Sequence, residues 1–368
     1  MKKLIVLLIA LSFVFIACNE KSKPEGKEVI KIGAILPLTG SAAPYGNNAK
    51  NGIELAITDI EKIYSIKIEV IYEDSKTDPQ SAVNALKKLY SINKIKIIIG
   101  DINSSGLLAM APIAEKNKII LLSPGASNPK ISYAGKYIFR NWHSDALEGE
   151  IAAKFAFDSL KWKKTAILFV NASYGIGLAE TFKNIFSNLG GDVISYESYQ
   201  QNAYDMREQI ITIKKLNPDG LYLPGWPKEM SIALRQLKQL GVKLQILSSQ
   251  GFDDPLILSL AGKSAEGVIY TVPKEADTSN SITINFKNKY KSIYGKEPGV
   301  CSASGYDALK ILVTAIKNVG TNIDRIQYYL SNLKDFPGVD GNVTFDENGD
   351  LIKPFLFKIV KNNNIIKY

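Results

Sequence analysis

The chain of 368 residues is 46% hydrophobic and 22% charged, and it carries a formal net charge of +9 at pH 7. This composition is ordinary for a folded protein, and the length exceeds that of one hydrophobic core, so two lobes are expected. The basic residues are scattered, without arginine clusters or interleaved aromatic residues, which argues against a nucleic-acid-binding groove.

The chain offers few catalytic side chains. His143 is the only histidine, and we expect it to be structural or solvent-facing. Cys301 is expected to be a buried, inert thiol. The patterns HExxH, GxSxG and GxxxxGK[ST], which mark zinc peptidases, serine hydrolases and nucleotide-binding loops, are absent. The sequence therefore predicts a binding protein without a metal or other cofactor. A hydrolase is the weaker alternative, because a base and nucleophile pair is missing.

The amino terminus has the pattern of an export signal. A basic pair precedes the apolar stretch from Leu4 to Ala17, which is shorter than the roughly 20 residues of a membrane-spanning helix. The sequence FIAC at Phe15–Cys18 resembles a bacterial lipobox and predicts cleavage before Cys18 and lipid attachment there; a plain secretory signal is the alternative. Residues 1–17 are predicted to be a lipoprotein signal peptide and residues 18–28 a flexible tether.

Beyond the tether, the first half of the chain alternates apolar runs with segments of helical periodicity. The runs predict parallel strands, and most of them end in a loop of small and hydroxyl residues. An apolar stripe from Ala49 to Ile63 predicts a helix after the first strand, and Asp78, followed by Pro79, predicts the N-cap of the next helix. The predicted strands are Ile30–Leu36, Ile66–Tyr72, Ile95–Ile99 and Ile119–Leu122.

The second half repeats this alternation up to Pro273. Asp254 precedes a proline and is predicted to cap a helix rather than to bind a ligand. Near the end, the sequence FPGVDGNVTFDENGD predicts a hairpin; a calcium loop is disfavoured because the ligand spacing and the terminal glutamate are missing. The predicted strands are Ala166–Val170, Leu221–Leu223 and Leu244–Leu247, and the predicted helices are Glu150–Leu160, Ala179–Leu189, Asp205–Leu216, Met230–Leu240, Ile282–Tyr294, Ser304–Val319 and Ile323–Leu330.

Strands joined by crossover helices predict the α/β class, with two doubly wound parallel-sheet lobes. In open sheets of this kind, ligands bind at the loops that follow the carboxyl ends of the strands. Here those loops are rich in Ser, Thr, Gly, Tyr and Trp, so we expect a cleft between the lobes that captures a small polar molecule.

Seven blocks of sequence carry a family resemblance: PLTGSAAPYGNNAKNGIELA, GDINSSG, LLSPGASNP, NASYGIG, LPGWPKEM, AGKSAEGV and GNVTFDENGDL. Their order and approximate spacing resemble the leucine/isoleucine/valine-binding proteins, the type I periplasmic solute-binding components of branched-chain amino-acid ABC transporters. The resemblance implies two lobes joined by three hinge crossings, near His143, Val272 and Ile352. The implied lobes are residues 29–143 with 273–352, and residues 144–272 with 353–368.

The resemblance also implies ligand-binding residues on the first lobe. Ser104 stands where the family holds the α-carboxylate of the ligand, at a helix N-terminus that favours an anion. Gly125 and Ser127 stand where backbone and hydroxyl groups hold the charged ends of an amino acid, and Ala126 between them is included in the site. From local structure alone, Ser104 is equally a plain N-cap and Ser127 part of a simple turn.

The second lobe departs from the family pattern. Tyr45 and Tyr174 match aromatic residues that cover the ligand side chain from opposite lobes, but Trp226 replaces a tyrosine. Gln250 replaces the glutamate that pairs with the ligand ammonium, and removing one member of a buried pair costs roughly 2–5 kcal/mol. We therefore expect either another acid in the pocket or a solute without an ammonium group. The acids expected nearby are Asp253, Asp101 and Glu229.

Together these features predict a solute-binding lipoprotein of an ABC importer, anchored at the periplasmic or extracellular face of the membrane. Its expected ligand is an amino acid or a similar small carboxylated solute, and its expected partner is an ABC permease. Membrane contact is expected only through the lipid on Cys18, with no nucleic-acid partner, and the protein is expected to be a monomer. A ligand-sensing receptor component of the same fold, binding an amide, carboxylate or aromatic acid, is the alternative.

Overall fold

A computed structural model describes residues 29–274, 279–351 and 353–368 of the chain. The predicted signal peptide, the tether with Cys18, and the hinge crossing expected at Ile352 lie outside the described residues. No helix within the described part combines the length and the apolar character needed to cross a membrane.

The strands of the described residues form two large sheets and one hairpin. In chain order they are β1 (Val29–Leu36), β2 (Lys67–Asp74), β3 (Ile97–Gly100), β4 (Ile120–Ser123), β5 (Ile138–Arg140), β6 (Lys164–Val170), β7 (Asp192–Tyr199), β8 (Gly220–Leu223), β9 (Gln245–Ser248), β10 (Ile269–Pro273), β11 (Phe336–Gly338), β12 (Gly341–Val343), β13 (Phe355–Lys361) and β14 (Asn364–Lys367). The first lobe contains a five-stranded sheet in the order β2-β1-β3-β4-β5, and the second lobe a seven-stranded sheet in the order β14-β13-β10-β9-β8-β6-β7.

Helices follow most of the parallel strands. They are α1 (Ala43–Tyr64), α2 (Pro79–Ser91), α3 (Ser104–Asn117), α4 (Asp145–Lys154), α5 (Ser173–Asn188), α6 (Arg207–Leu216), α7 (Pro227–Gln239), α8 (Pro255–Ala261), α9 (Ser281–Tyr294), α10 (Ser302–Val319) and α11 (Ile323–Ser331). The longest, α1, packs against α10 as well as against the first sheet.

The predicted α/β architecture with two doubly wound lobes is confirmed. Pairing is parallel throughout β1–β5 and throughout β6–β10. The strands β13 and β14, which the sequence pattern did not reveal, add antiparallel pairs next to β10. The predicted hairpin is also confirmed, because β11 and β12 pair antiparallel.

Several helices begin at side-chain caps. Asp78 accepts a hydrogen bond from Ser81 N at 2.7 Å, and Asp254 accepts one from Leu256 N at 2.8 Å, which confirms both predicted N-caps. The helix predicted from Glu150 instead begins at Asp145, because Ser144 Oγ accepts from the amide of Ala146 at 3.3 Å.

The apolar stripe of α1 faces the core for most of its length. Ala49, Ile53 and Ile60 are buried, and Ile57 is half-buried. Ile63 is 66% exposed, contrary to the prediction, so the buried stripe ends one turn before the helix does.

The topology brings the loops of the two lobes together. In the first sheet the strand order reverses at β1, which lies between β2 and β3. In the second sheet it reverses at β6, which lies between β7 and β8. Loops at the carboxyl ends of such strands form the ligand crevice of open α/β sheets. Direct bonds join the lobes here, because Ser41 Oγ donates to Glu229 Oε1 at 2.7 Å and Tyr45 Oη donates to the carbonyl of Gly251 at 2.7 Å.

Candidate functional site

The loop after β4 is folded around the hydroxyl group of Ser104. The backbone amides of Ser127 and Asn128 donate to Ser104 Oγ at 3.1 and 3.2 Å. The Ser104 hydroxyl therefore accepts two hydrogen bonds and keeps its own proton to donate. The hydroxyl of Ser127 is buried and has no hydrogen-bond partner among the described residues. Two hydroxyl donors thus lie near the N-terminus of α3, where an anion is favoured.

Neighbouring residues fix the shape of this loop. Ser123 Oγ accepts from the amide of Ala126 at 2.8 Å, and the Ala126 side chain is fully buried. A Cβ atom at Gly125 would lie 2.9 Å from a methyl carbon of Ile102 and 3.0 Å from the sulfur of Cys301. A side chain at position 125 would therefore collide with its surroundings, which explains the glycine.

Three aromatic rings close the cleft. The rings of Tyr174 and Trp226 stack with their centroids 4.7 Å apart, and the ring of Tyr45 lies 5.6 Å from that of Trp226. The hydroxyl groups of Tyr174 and Ser249 are 2.8 Å apart. Because Tyr45 comes from the first lobe and Trp226 from the second, this contact joins the two lobes.

The space between these rings is small. We call it the aromatic pocket, and its volume is about 20 Å³, little more than one water molecule requires. Five of the predicted site residues line it: Tyr45, Gly125, Tyr174, Trp226 and Gln250. Ser104, Ala126 and Ser127 do not line it; they lie in and beneath the adjoining loop.

Gln250 is held in place by a buried acid. Glu148 Oε1 accepts from the backbone amide of Gln250 at 2.7 Å and from Thr271 Oγ1 at 2.5 Å. Glu148 Oε2 lies 3.5 Å from His143 Nε2. His143 is buried rather than solvent-facing, and burial lowers the pKa of its imidazole. The side-chain oxygen of Gln250 is buried and has no partner among the described residues.

A second buried acid, Asp145, does not line the aromatic pocket but is bonded to the loop that contains Ser127. Its side chain is 0% exposed, and both carboxylate oxygens lack hydrogen-bond partners among the described residues. Its backbone amide donates to the carbonyl of Ser127 at 2.7 Å, and the Ser127 hydroxyl faces its carboxylate without forming a hydrogen bond of normal geometry. Burial, and then the charge of Glu148, raise the pKa of Asp145 well above its usual range. A cation bound beside this carboxylate would be favoured.

The three acids suggested by sequence position make other contacts. Asp253 accepts from Tyr270 Oη at 2.8 Å and pairs with Lys358 at 3.1 Å. Glu229 Oε1 accepts from Ser41 Oγ and from the amide of Asn202, both at 2.7 Å, so it joins the lobes. Asp101 is buried against Gly106, where an added Cβ would lie 2.3 Å from Asp101 Oδ2. None of the three lines the aromatic pocket.

The buried Asp101 predicts a pH-dependent stability. Burial raises the pKa of Asp101 to about 7, whereas an aspartate in an unfolded chain ionises near 4. Between these two pKa values, the folded protein keeps a proton on Asp101 that the unfolded chain has released. This preferential proton binding stabilises the folded state at acidic pH, and the stabilisation is lost as the pH rises towards 7. Between pH 5 and 8 the free energy of unfolding of the native protein should fall by about 2–3 kcal/mol more than that of an Asp101→Asn variant.

Urea denaturation of both proteins at pH 5 and pH 8 measures this difference. The asparagine variant stays neutral, so it acts as the reference for every other titrating group. Equal changes in the two proteins would show that Asp101 ionises normally in the folded state.

Several lining residues were missed by the sequence analysis. Trp142, Val300 and Cys301 line the aromatic pocket, together with Ile102 and Gly251. Cys301 is buried as predicted, and burial raises the pKa of its thiol. No motif marks Trp142, Val300 or Cys301, because each comes from a loop whose place is set only by the packing of the lobes.

In the described part of the chain, no group of three or more His, Cys, Asp or Glu side chains is arranged to hold a metal ion. The arrangement instead offers hydroxyl donors, a buried carboxylate and aromatic rings around a cleft, which suits non-covalent capture of a small solute.

Comparison with known proteins identifies the family. A family model described as "Periplasmic binding protein" matches residues 29–363. The chain belongs to this family. Periplasmic binding proteins are solute-binding proteins, so the predicted binding function is confirmed at this level, as is the resemblance to the leucine/isoleucine/valine-binding proteins.

Individual family members give the extent of the similarity. The leucine-, isoleucine-, valine-, threonine- and alanine-binding protein of Pseudomonas aeruginosa is 29% identical over 340 residues, which cover 90% of this chain and 89% of that protein. The solved structure of a leucine-binding protein, LivK, from Thermotoga maritima has a TM-score of 0.87 at 32% identity and covers 92% of this chain and 97% of its own.

A solved structure of lower sequence identity shares the fold. It is a solute-binding protein of an ABC transporter from R. palustris, solved in complex with benzoate, with a TM-score of 0.84 at 20% identity. The alignment covers 92% of this chain and 95% of that one.

Proposed function

We propose that this protein binds an α-amino acid in the cleft and delivers it to an ABC permease. The observation that carries the proposal is the buried carboxylate of Asp145, which faces the Ser127 hydroxyl, in a loop whose backbone amides donate to Ser104 Oγ. A zwitterion has complementary charges: its carboxylate accepts from the two hydroxyl groups and its ammonium meets Asp145. Asp145 would thus supply the negative charge that Gln250 lacks.

The remaining predicted site residues contribute shape. Tyr45 and Tyr174 cover the solute from opposite lobes, and Trp226 and Gln250 complete the enclosure. Gly125 and Ala126 form the loop beneath it. Binding proceeds without chemistry: the solute docks on the first lobe, and hinge closure brings Tyr174 and Trp226 over it. The names of two relatives support this class of solute: the Pseudomonas protein is named for binding leucine, isoleucine, valine, threonine and alanine, and the Thermotoga protein for binding leucine.

The proposal extends to the placement of the protein in the cell. We propose a lipid anchor on Cys18 after removal of residues 1–17, which holds a monomer at the outer face of the membrane beside its permease. We also propose the lobe division at residues 143, 272 and 352. The membership of β1–β5 in one sheet, and of β6–β10 with β13 and β14 in the other, supports that division.

Isothermal titration calorimetry tests the proposal. The protein is unfolded and refolded to remove any carried solute, then titrated with leucine and with the 2-oxo acid that lacks the ammonium. Leucine is expected to bind and the oxo acid to bind at least 30-fold more weakly, because only leucine pairs with Asp145. Binding of the oxo acid alone would place the protein in carboxylate uptake, and binding of neither would overturn the amino-acid proposal.

A further inference from the structure

The second lobe contacts the first at the N-terminus of α5. The backbone amide of Ser173, the first residue of α5, donates to Ser105 Oγ at 3.0 Å. The carbonyl of Ser173 accepts a hydrogen bond from the side-chain Nδ2 of Asn128, in the loop after β4. Ser105 and Asn128 belong to the first lobe and Ser173 to the second. Both bonds therefore join the lobes directly, and a hinge movement that opens the cleft breaks them.

Asn128 is also bonded to the residue proposed to receive the solute carboxylate. Its backbone amide donates to Ser104 Oγ at 3.2 Å, and its side-chain Oδ1 accepts from the amide of Lys130 at 2.9 Å. Its carbonyl accepts from Arg140 Nη1 at 3.0 Å. Because Oδ1 faces an N–H group and Nδ2 faces a carbonyl, the orientation of the side-chain amide is fixed. Asn128 thus connects Ser104 to the second lobe through one short side chain.

A glycine on α5 allows the lobes to approach closely. Gly177 lies one turn after Ser173, and a Cβ atom there would lie 2.7 Å from Asn128 Nδ2 and 2.9 Å from Pro129 Cδ. Glycine is less favourable than alanine inside a helix, and Gly177 does not adopt a positive φ. The helix itself therefore gives no reason for a glycine at this position, whereas the contact with Asn128 does.

A contact between the lobes acts on closure rather than on docking. A bond that is present in the closed form and absent in the open form shifts the equilibrium towards the closed form. In the proposed function the solute docks on the open first lobe before this contact forms, so the association rate is independent of it. The contact has to break before the solute leaves, so the dissociation rate depends on it.

We propose that Asn128 is a positioning residue that couples the solute-binding loop to closure of the second lobe. Its backbone amide holds the Ser104 hydroxyl in place for the solute, and its side-chain amide holds the N-terminus of α5 against the same loop. This inference rests on the proposed function, since it takes Ser104 as the place where the solute docks. The contact consists of protein groups alone, so it also favours the closed form before a solute arrives.

An Asn128→Ser variant tests the side chain of Asn128. A serine hydroxyl at this position can still accept from the amide of Lys130, as serine caps do, but it is too short to reach Ser173. Leucine is expected to dissociate about three- to tenfold faster from the variant, with an association rate within about twofold of the native one. Stopped-flow tryptophan fluorescence measures both rates, because Trp226 lies in the cleft.

Asn322→Ser is the matched control for this variant. Asn322 caps α11 by accepting from the amide of Arg325 at 3.1 Å, as Asn128 caps the turn that begins at Pro129. The helix α11 packs against α10 of the same lobe. The substitution there removes a capping amide without changing the contact between the lobes, so both rates should match those of the native protein.

A Gly177→Ala variant tests the same contact from the second lobe. Its methyl group would collide with Asn128 Nδ2 in the closed form, so leucine is expected to dissociate at least about tenfold faster. Gly33→Ala is the control, because its Cβ would lie 2.7 Å from Leu89 Cδ1 within the first lobe, and native rates are expected. Since the methyl group already breaks the bond, adding Asn128→Ser to Gly177→Ala should speed dissociation by less than about twofold more.

The outcomes separate the inference from the function on which it rests. Native dissociation rates in Asn128→Ser and Gly177→Ala, or a fall in association as large as the rise in dissociation, would overturn the inference and leave the amino-acid function standing. Small-angle X-ray scattering of the solute-free proteins is the second test, and both variants are expected to have a larger radius of gyration than the native protein. Equal radii would overturn the inference whether or not leucine binds. Absence of leucine binding to the native protein would by itself overturn only the proposed function.

Discussion

An Asp145→Asn variant is expected to bind leucine about 30- to 4000-fold more weakly than the native protein, which corresponds to roughly 2–5 kcal/mol. The carboxylate of Asp145 is fully buried and its two oxygens have no partner among the described residues, so the solute ammonium would be its counter-charge. Asparagine keeps the shape of the side chain and removes only the charge. Calorimetric titration of both proteins at pH 7 measures the change, and the 2-oxo acid should not lose affinity for the variant.

The same carboxyl group predicts that binding depends on pH. Burial and the charge of Glu148 raise the pKa of Asp145 well above its usual range, so the free protein holds a proton there that an exposed aspartate would have lost. Binding of an ammonium favours the ionised form and releases this proton. Leucine affinity should therefore rise with pH, by up to about tenfold per unit below that pKa, and the asparagine variant should lack this dependence.

Asp253→Asn is the matched control for Asp145→Asn. Both changes neutralise an aspartate near the cleft, but Asp253 already pairs with Lys358 and accepts from Tyr270. Its loss should change leucine affinity less than threefold. A large effect on affinity at Asp253 combined with a small one at Asp145 would show that the ammonium lies beside Asp253, and the assignment of Asp145 would be wrong.

The contrast between these two acids shows how far sequence reasoning extends into the site. The meeting of the carboxyl-end loops was predictable, because strand order alone brings such loops together. The aromatic residues Tyr45, Tyr174 and Trp226 were predicted from the family resemblance. Asp145 was not, since an aspartate next to a serine at a helix start is typical of a cap or of the helix dipole. Its role as a candidate counter-charge depends on burial by residues distant in sequence.

Partners distant in sequence also determine which acids already have a hydrogen-bond or ion-pair partner. Glu229 is held by Ser41, 188 residues earlier, and Asp253 by Lys358, 105 residues later. A cavity of about 380 Å³ is a further case, because its wall brings together Asn141, Val272 and Lys353, which no local pattern connects. The fold was therefore readable from periodicity and caps, while the charge distribution in the cleft required the packed lobes.

An Arg140→Met variant is expected to lose about 3–5 kcal/mol of stability. Arg140 is fully buried, and its Nε and Nη2 donate to the two carboxylate oxygens of Asp350, each at 2.6 Å. Nη1 also donates to the carbonyl of Asn128 at 3.0 Å, so the residue ties the loop of residues 124–128 after β4, here called the serine loop, to Asp350. Methionine fills much of the same space but leaves the buried carboxylate of Asp350 without a counter-charge.

Adding Asp350→Leu to Arg140→Met separates charge from packing. If the loss comes from the uncompensated carboxylate, the double variant should recover most of the stability, because replacing both partners of a buried pair with apolar residues is often neutral. Urea denaturation measures the single and double variants, and Lys154→Met, which breaks an exposed pair with Glu150, should change stability by less than about 1 kcal/mol. A double variant as unstable as the single one would mean that the hydrogen bonds of Arg140 to the serine loop, rather than its charge, stabilise this part of the fold.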